Sequence, residues 1–395
     1  MSDQVRSVSA ANANDLAVEV LEIYANEDEN RANSCRHEPG PLVLASLAHD
    51  TGVASRDLAR QVALRWLDEL PEQVYSLGAF GGLGGFIAGV RAAGKFDPQL
   101  ASLAGSLVNE VPGWFDNAPL LTSLVAWRDY DLFNGPAGLL LAGAVRGSSA
   151  PFAGAAGHLA LLCDQANLER LRAGTDIDPR SAFNVGRINT CLAHGVAGVA
   201  SALRHAVETL DDGDAFRPAL GRACDWLLKE AYLSDCGLIT WPPVGHEGTP
   251  ASFAVHDPQA WCYGTPGIAW TLWDAGRVLE SSPLQILGEE AMLSFTRVFD
   301  AERFISRPSI AESLSICHGA AGTLAVADAF ACHANLDKAG LLRDYLERYL
   351  LDRQDEVIEL AKTDMTMLGG AGGIMSVLLA ARGASRDWLP QLALR

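Results

Sequence analysis

Residues 261–275 read WCYGTPGIAWTLWDA, in which a Gly-x-x-Gly motif, Gly264 to Gly267, runs directly into small and apolar residues. The pattern occurs at five other places, and a weaker copy around Gly40 keeps only the second glycine. The second glycines of the seven copies are Gly40, Gly85, Gly138, Gly198, Gly267, Gly322 and Gly373. Their separations, 45 to 69 residues, are too long for the helical repeats of about 34 residues but suit helix pairs with variable loops.

The segments between the motifs are amphipathic. Residues 55–70 and 217–233 carry apolar side chains at intervals of three and four positions, which is typical of a helix with one buried face. No segment alternates convincingly as a strand does. We therefore predict that each repeat consists of an outer amphipathic helix, a loop, and an inner helix entered through the glycine motif. The inner helices are apolar on nearly every face, which predicts burial all round.

Seven such helix pairs in an open stack would leave apolar ends exposed, whereas a closed ring has no ends. The sequence therefore predicts an all-α fold, an α/α toroid or double-layer barrel of seven helix-hairpin repeats with the glycine loops at one end. We expect a single domain over residues 1–395, because no linker divides the chain into differently composed parts. An open helical solenoid is the alternative.

Composition excludes several classes of protein. The chain has 395 residues, 38 of them glycine, and its formal net charge is −18, with 30 scattered basic residues. Such a surface argues against nucleic acid as a partner, because phosphate binding needs clustered Lys and Arg. Neither a secretory signal nor an apolar run of about 18 residues is present, so we expect a cytoplasmic protein with no transmembrane segment.

The residues just before the first glycine of each motif hold the reactive side chains. One position before it the copies carry Gly81, Asn134, His194, Tyr263, His318 and Gly369, and two positions before it Phe80, Phe133, Ala193, Cys262, Cys317 and Leu368. Polar and reactive types occur together in copies three to six. Equivalent loops of a toroid face one central mouth, so these side chains are predicted to converge there as a site.

Cys262, Cys317 and His318 offer two thiolates and one imidazole, which together form a three-ligand set for zinc with a fourth position open. Helix starts favour the deprotonated thiol, because the helix dipole stabilises negative charge. A second adjacent pair, Cys332-His333, lies outside the repeated positions and is predicted to be structural.

Three further polar residues accompany the predicted metal ligands. His194 stands in the same column as His318 and could be a fourth ligand, a structural histidine or a proton-transfer group. Asp131, four residues before Gly135, could orient a histidine for acid and base work or simply cap a helix or a loop. Tyr263 completes the polar set.

Four of these motifs occur together in one known protein family. Trp261 to Gly267 (WCYGTPG), Cys317-His318-Gly319, Ala193-His194-Gly195 and Tyr130-Asp131 together resemble the lanthionine synthetase C family, the lanthipeptide cyclases, over essentially the whole chain. The resemblance implies a sevenfold α/α toroid with one catalytic zinc held by Cys262, Cys317 and His318. It also implies that His194, Asp131 and Tyr263 take part in proton transfer around the metal. Several relatives carry a basic residue a few positions before the WCYG motif, where this chain offers only His256.

The implied activity is that of a zinc-dependent cyclase. A cysteine of a dehydrated precursor peptide, composed of leader and core, would add to dehydroalanine or dehydrobutyrine and close a lanthionine or methyllanthionine thioether ring. The expected acid, which would protonate the enolate, is His194. The chain has no room for a kinase-like or lyase domain, so we expect a standalone cyclase. Its expected partners are the precursor, a separate dehydratase and an exporter, which could hold it at the membrane.

Three alternatives remain open from the residues alone. A family member could add glutathione or another free thiol to dehydrated residues, using the same site. The protein could also be a zinc-bearing scaffold that binds peptide without turnover. A carbohydrate-active toroid would need two opposed carboxylates, and only Asp131 lies near the polar columns.

Overall fold

The computed structural model of the chain describes residues 2–26, 38–69, 74, 76–117, 119–147, 150–175, 184–245 and 259–395. His256, the basic residue noted before the WCYG motif, lies outside these ranges.

The regular structure of the described residues is helical apart from one short pair of strands, so the predicted all-α class is confirmed. Their α-helices are α1 (Ser2–Asn26), α2 (Gly40–Asp50), α3 (Arg56–Asp68), α4 (Leu83–Ala93), α5 (Pro98–Asn117), α6 (Pro136–Gly143), α7 (Ala153–Leu162), α8 (Val196–Thr209), α9 (Arg217–Glu230), α10 (Thr265–Leu279), α11 (Ser282–Val298), α12 (Ala301–Phe304), α13 (Ile310–Leu314), α14 (Ala320–His333), α15 (Asp337–Leu351), α16 (Gln354–Ala361) and α17 (Ala371–Ala381). The strands of this part of the chain are β1 (Tyr232–Leu233) and β2 (Ile239–Thr240), which pair antiparallel.

The helices that begin at the glycine motifs form the inner layer. In the part of the chain that the structure describes these are α2, α4, α6, α8, α10, α14 and α17. Each packs against the next in this order, and α17 packs against α2, so the ring is closed. Burial is continuous along them: in α14, for example, every residue from Ala320 to Phe330 is buried. The closed toroid is therefore confirmed over the open solenoid.

The outer layer is paired with the inner one in a different order from the one predicted. Each outer helix packs most extensively against the inner helix that precedes it, and this holds for α3, α5, α7, α9, α11 and α15. Two of them, α7 and α9, also contact the inner helix that follows. The last inner helix, α17, is covered instead by α1 and α16, so the first helix of the chain completes the outer layer beside the last inner helix. The predicted amphipathic stretch 217–233 also divides: α9 ends at Glu230, and Tyr232 and Leu233 leave the helix to pair with β2.

The glycine motifs have a steric reason. In six copies a Cβ on the second glycine would overlap the backbone carbonyl oxygen five or six residues earlier, as at Gly138 with Leu132 O. The carbonyl lies there because the loop folds back over the start of its own inner helix. The loops also join one another through backbone bonds: Ala79 N donates to Leu132 O at 3.0 Å, and Leu132 N donates to Ala193 O at 3.1 Å. These close approaches bring the predicted site columns to one end of the toroid.

Gly138→Ala is therefore expected to destabilise the protein by about 2 kcal/mol or more, because the new Cβ meets backbone atoms that cannot move aside. The matched control is Gly221→Ala in α9, where an added Cβ would meet nothing within 4 Å. That variant should be more stable by about 0.4–1 kcal/mol, since alanine has the higher helix propensity. Urea unfolding of the three proteins measures both values. A neutral Gly138→Ala would contradict the steric account of the motif.

No helix of the described residues has both the length and the hydropathy that a membrane crossing requires.

Candidate active site and metal cluster

A polar side chain four residues before the first glycine organises several of the glycine loops. It accepts the backbone N–H of the residue just before that glycine, and so it fixes the position where the reactive side chains stand. The bonds are Asp131 Oδ1 to Asn134 N (2.7 Å), Cys191 Sγ to His194 N (3.1 Å), Ser315 Oγ to His318 N (3.2 Å) and Thr366 Oγ1 to Gly369 N (3.2 Å). These four residues stand at the same position of their repeats, and Asp131 is the one among them that the sequence predicts as a site residue.

The structure brings the three predicted metal ligands together. The sulfur atoms of Cys262 and Cys317 and a ring nitrogen of His318 all lie within 4.8 Å of one another. Cys317 Sγ is 3.7 Å from His318 Nε2. Cys262 is buried, whereas Cys317 and His318 are partly exposed, so the cluster opens to one side. Among the described residues this is the one group of three such side chains placed to hold a metal ion.

The cluster already favours a thiolate at one position. The hydrogen bond from Cys262 lowers the pKa of the Cys317 thiol well below its usual value, burial opposes this, and His318 lowers the pKa further. Burial and the same hydrogen bond raise the pKa of Cys262. One sulfur of the pair therefore carries negative charge more readily than the other, and a cation placed between them would be attracted.

Asp131 and His194 form a hydrogen-bonded pair beside the cluster. Asp131 Oδ2 lies 2.6 Å from His194 Nδ1. The other carboxylate oxygen accepts the amides of Asn134 and Gly135, at 2.7 and 3.0 Å. Burial raises the pKa of the Asp131 carboxyl, and the bond from His194 opposes that rise. The carboxylate thus both caps the loop and binds the ring of the histidine. Its part in acid and base work stays a prediction.

His194 lies near the cluster of Cys262, Cys317 and His318, as its electrostatic effect on Cys317 shows: it lowers the pKa of that thiol. The loops that carry the two sets are joined directly, since Leu192 N donates to Cys262 O at 3.0 Å. With Nδ1 bound to Asp131, Nε2 is the nitrogen left without a protein partner among the described residues. Its side chain is 17% exposed, so a ligand at the mouth can reach it.

Tyr263 is held by residues that sequence reasoning missed. Its hydroxyl lies 3.4 Å from Asn189 Nδ2 and is hydrogen-bonded to the buried sulfur of Cys191. The neighbouring Cys191 and burial together raise the pKa of the Tyr263 hydroxyl. Burial also raises the pKa of Cys191 to about 12. Both groups therefore keep their protons at neutral pH, and Tyr263 can act as a hydrogen-bond donor.

The second Cys-His pair does not contribute to this site. Cys332 is exposed, and its sulfur lies 3.5 Å from Asp328 Oδ1 on the same helix. No metal-binding group of the described residues includes it.

The family model of the lanthionine synthetase C-like proteins matches residues 40–379. The chain belongs to the lanthionine synthetase C-like family. Among solved structures, this family member is similar to one titled nisin cyclase, with a TM-score of 0.74 and 18% sequence identity over 93% of both chains. This match supports the toroidal fold of the lanthionine synthetase C-like chain. No curated protein sequence is similar enough to it to count as a match.

Proposed function

We propose that this protein is a zinc-dependent cyclase that closes lanthionine and methyllanthionine rings. It would add a cysteine thiol of a dehydrated precursor peptide to a dehydroalanine or dehydrobutyrine of the same peptide. The observation that carries the proposal is the position of the Asp131–His194 pair beside the cluster of Cys262, Cys317 and His318, at the loop end of the toroid, in a chain of this family.

The donor set fits zinc. Tetrahedral zinc with bonds of about 2.3 Å to sulfur and 2.0–2.1 Å to nitrogen separates two such ligands by about 3.6 Å. The Cys317 sulfur and the His318 nitrogen are 3.7 Å apart, so these two atoms need little movement to share a metal. Two sulfurs and one nitrogen leave one tetrahedral position for a ligand from the substrate. Zinc held by these three side chains would lower the pKa of a substrate thiol at the fourth position and so supply a nucleophile at neutral pH.

His194 is assigned the proton transfer. The reaction forms one C–S bond and breaks the C=C π bond of the dehydrated residue, so the thiol proton is lost from sulfur and the α-carbon gains one. His194 Nε2 is available to deliver that proton, because Nδ1 is occupied by the Asp131 carboxylate. The carboxylate stabilises the charged imidazolium before transfer and keeps the ring oriented afterwards. One proton leaves the thiol and one is added to the α-carbon, so the overall reaction neither consumes nor releases a proton.

Tyr263 is assigned a supporting contact. Its hydroxyl remains protonated, as the raised pKa implies, so it can donate a hydrogen bond to the substrate carbonyl oxygen on which negative charge develops. Such a donor stabilises the enolate most when it is already in place before reaction. Asn189 and Cys191 hold the hydroxyl oxygen in that place, and its single proton would turn from the Cys191 sulfur to the substrate carbonyl.

The partners follow from this activity. We propose that a separate dehydratase supplies the dehydrated precursor, composed of leader and core, and that an exporter removes the product. The protein would then work in the cytoplasm, with any membrane association made through that complex. The acidic surface, with a formal net charge of −18, supports a peptide partner over a nucleic acid.

The test uses the zinc-loaded protein and a synthetic peptide with one dehydroalanine and one downstream cysteine. Cyclisation leaves the peptide mass unchanged but removes its free thiol, so the product resists alkylation by iodoacetamide. We expect that resistance to appear with enzyme and not with a control peptide in which serine replaces dehydroalanine. A peptide with dehydroalanine but no cysteine, incubated with glutathione, is the second arm.

The outcomes separate the alternatives. A product heavier by one glutathione, without ring closure in the first arm, would favour the addition of external thiols. Binding of the peptide without loss of its thiol over hours would favour a scaffold. Either result would overturn the cyclase proposal.

A further inference from the structure

The imidazole of His194 is covered by aromatic rings. The Trp127 ring lies nearly parallel to it, with centroids 4.1 Å apart and an interplanar angle of 14°. The Phe133 ring also contacts it, at 4.7 Å and 40°. Stacking at this distance restricts the imidazole to rotation within its own plane, because any tilt would drive it into the indole.

Trp127 belongs to the same short segment as Asp131. It begins a 3₁₀ turn, Trp127–Asp129, and its carbonyl accepts the amide of Asp131 at 2.8 Å. One rigid turn therefore supplies both restraints on His194: the carboxylate binds one edge of the ring, and the indole covers its face. Neither restraint alone determines the direction of Nε2, since a hydrogen bond permits rotation about its own axis.

The indole is not the side chain that stability alone would favour here. Trp127 Nε1 is buried and has no hydrogen-bond partner among the described residues. A buried donor without a partner destabilises the folded state, and phenylalanine would fill much of the same space without that cost. A tryptophan therefore stands here despite its unpaired N–H group, and the contact of its large flat ring with His194 offers a functional reason for its presence.

We propose that Trp127 is a positioning residue that holds the His194 ring so that Nε2 faces the reacting α-carbon. The inference rests on the proposed cyclase function, in which His194 delivers the proton. Trp127 acts in this account through the His194 ring that it covers and is assigned no contact with the substrate. Its effect is to keep the acid aligned at the moment when the carbon must be protonated.

The experiment compares Trp127→Leu with Trp127→Phe in the zinc-loaded enzyme. Loss of alignment reduces turnover rather than binding, so Trp127→Leu should lower kcat by about 10- to 100-fold and change KM by less than about threefold. Trp127→Phe keeps a flat ring and should restore kcat to within about fivefold of the wild type. The matched control is Trp114→Leu, which removes another partly buried tryptophan, in the outer helix α5. It should leave kcat near the wild-type value.

A second readout does not depend on activity. In protein labelled with ¹³C-histidine, the stacked indole should shift the His194 ring protons upfield, and His194→Asn identifies that signal by its loss. We expect the signal to move downfield in Trp127→Leu and to remain near its original position in Trp127→Phe and Trp114→Leu. Zinc content, measured alongside, should be unchanged in all three.

Two results would overturn the positioning role. One is a His194 signal that does not respond to Trp127→Leu; the other is a kcat of Trp127→Leu equal to that of Trp114→Leu. A wild-type enzyme that cyclises no peptide would instead refute the proposed function, and the histidine spectra would still decide whether Trp127 holds the ring.

Discussion

Cys317→Ala is expected to lose tightly bound zinc and, with it, cyclisation. The variant keeps two of the three clustered ligand side chains. Zinc sites formed by protein thiols and imidazoles bind with about 10–16 kcal/mol. If one of three ligands contributes a third of this, its removal costs about 4 kcal/mol, or about three orders of magnitude in affinity. Metal content after gel filtration and competition with a chromogenic chelator measure the loss.

The chain contains its own control for that experiment. Cys332→Ala removes a thiol that is also followed by a histidine, but that lies outside the metal cluster. This variant should retain about one zinc per chain and its full activity. Equal zinc content in Cys317→Ala and Cys332→Ala would show that the cluster is not the metal site. Zinc retained in Cys317→Ala without activity would point instead to the thiol as a direct participant in the reaction.

Asp131→Asn is expected to retain zinc and to lower the cyclisation rate by about 10²- to 10⁴-fold. The reason lies in the two oxygens of the carboxylate. One accepts the amides of Asn134 and Gly135, and the other binds His194 Nδ1. An asparagine has a single oxygen, which the loop amides require, so it would present its NH₂ group to Nδ1. The histidine would then adopt the opposite tautomer and lose the anion that stabilises its charged form.

Single-turnover cyclisation at saturating peptide isolates this effect from binding. The matched control is Asp364→Asn, because Asp364 Oδ1 also accepts a loop amide, Thr366 N at 2.8 Å, but in the seventh copy. That variant should cyclise at nearly the wild-type rate. His194→Asn and the double variant with Asp131→Asn should be about equally slow, since the two residues act as a unit. Additive losses, or wild-type turnover in Asp131→Asn, would contradict the assigned roles.

The register of the fold was predictable from glycine alone. Gly138 and its counterparts recur because a loop carbonyl lies where a side chain would begin, and a steric requirement of this kind can be met only by glycine. The ligand positions could be predicted from the same register, since Cys262, Cys317 and His318 stand one or two residues before those glycines. Their convergence followed from ring closure, although they are up to 56 residues apart in the chain.

Other parts of the site were not predictable in the same way. Cys191 stands at the same repeat position as Asp131. Its sulfur helps to hold the Tyr263 hydroxyl only because the fold places that residue, 72 positions later in the chain, against it. Trp127 showed no periodic signal at all, since it precedes the repeated positions. The pairing of outer with inner helices was also predicted in the wrong order, because amphipathic periodicity reveals that a helix has a buried face and not which neighbour covers it.

The helical class, the places where inner helices begin and the side chains available for chemistry at those places could all be predicted from the amino-acid sequence. These are local properties, set by glycine sterics, hydrophobic periodicity and residue type. The distances and orientations within the site come from the tertiary structure alone: the 2.6 Å bond of Asp131 to His194, the indole over that ring, and the separations between the two sulfurs and the imidazole nitrogen. Such contacts depend on how neighbouring loops approach across the mouth of the toroid, and no spacing along one chain specifies that distance.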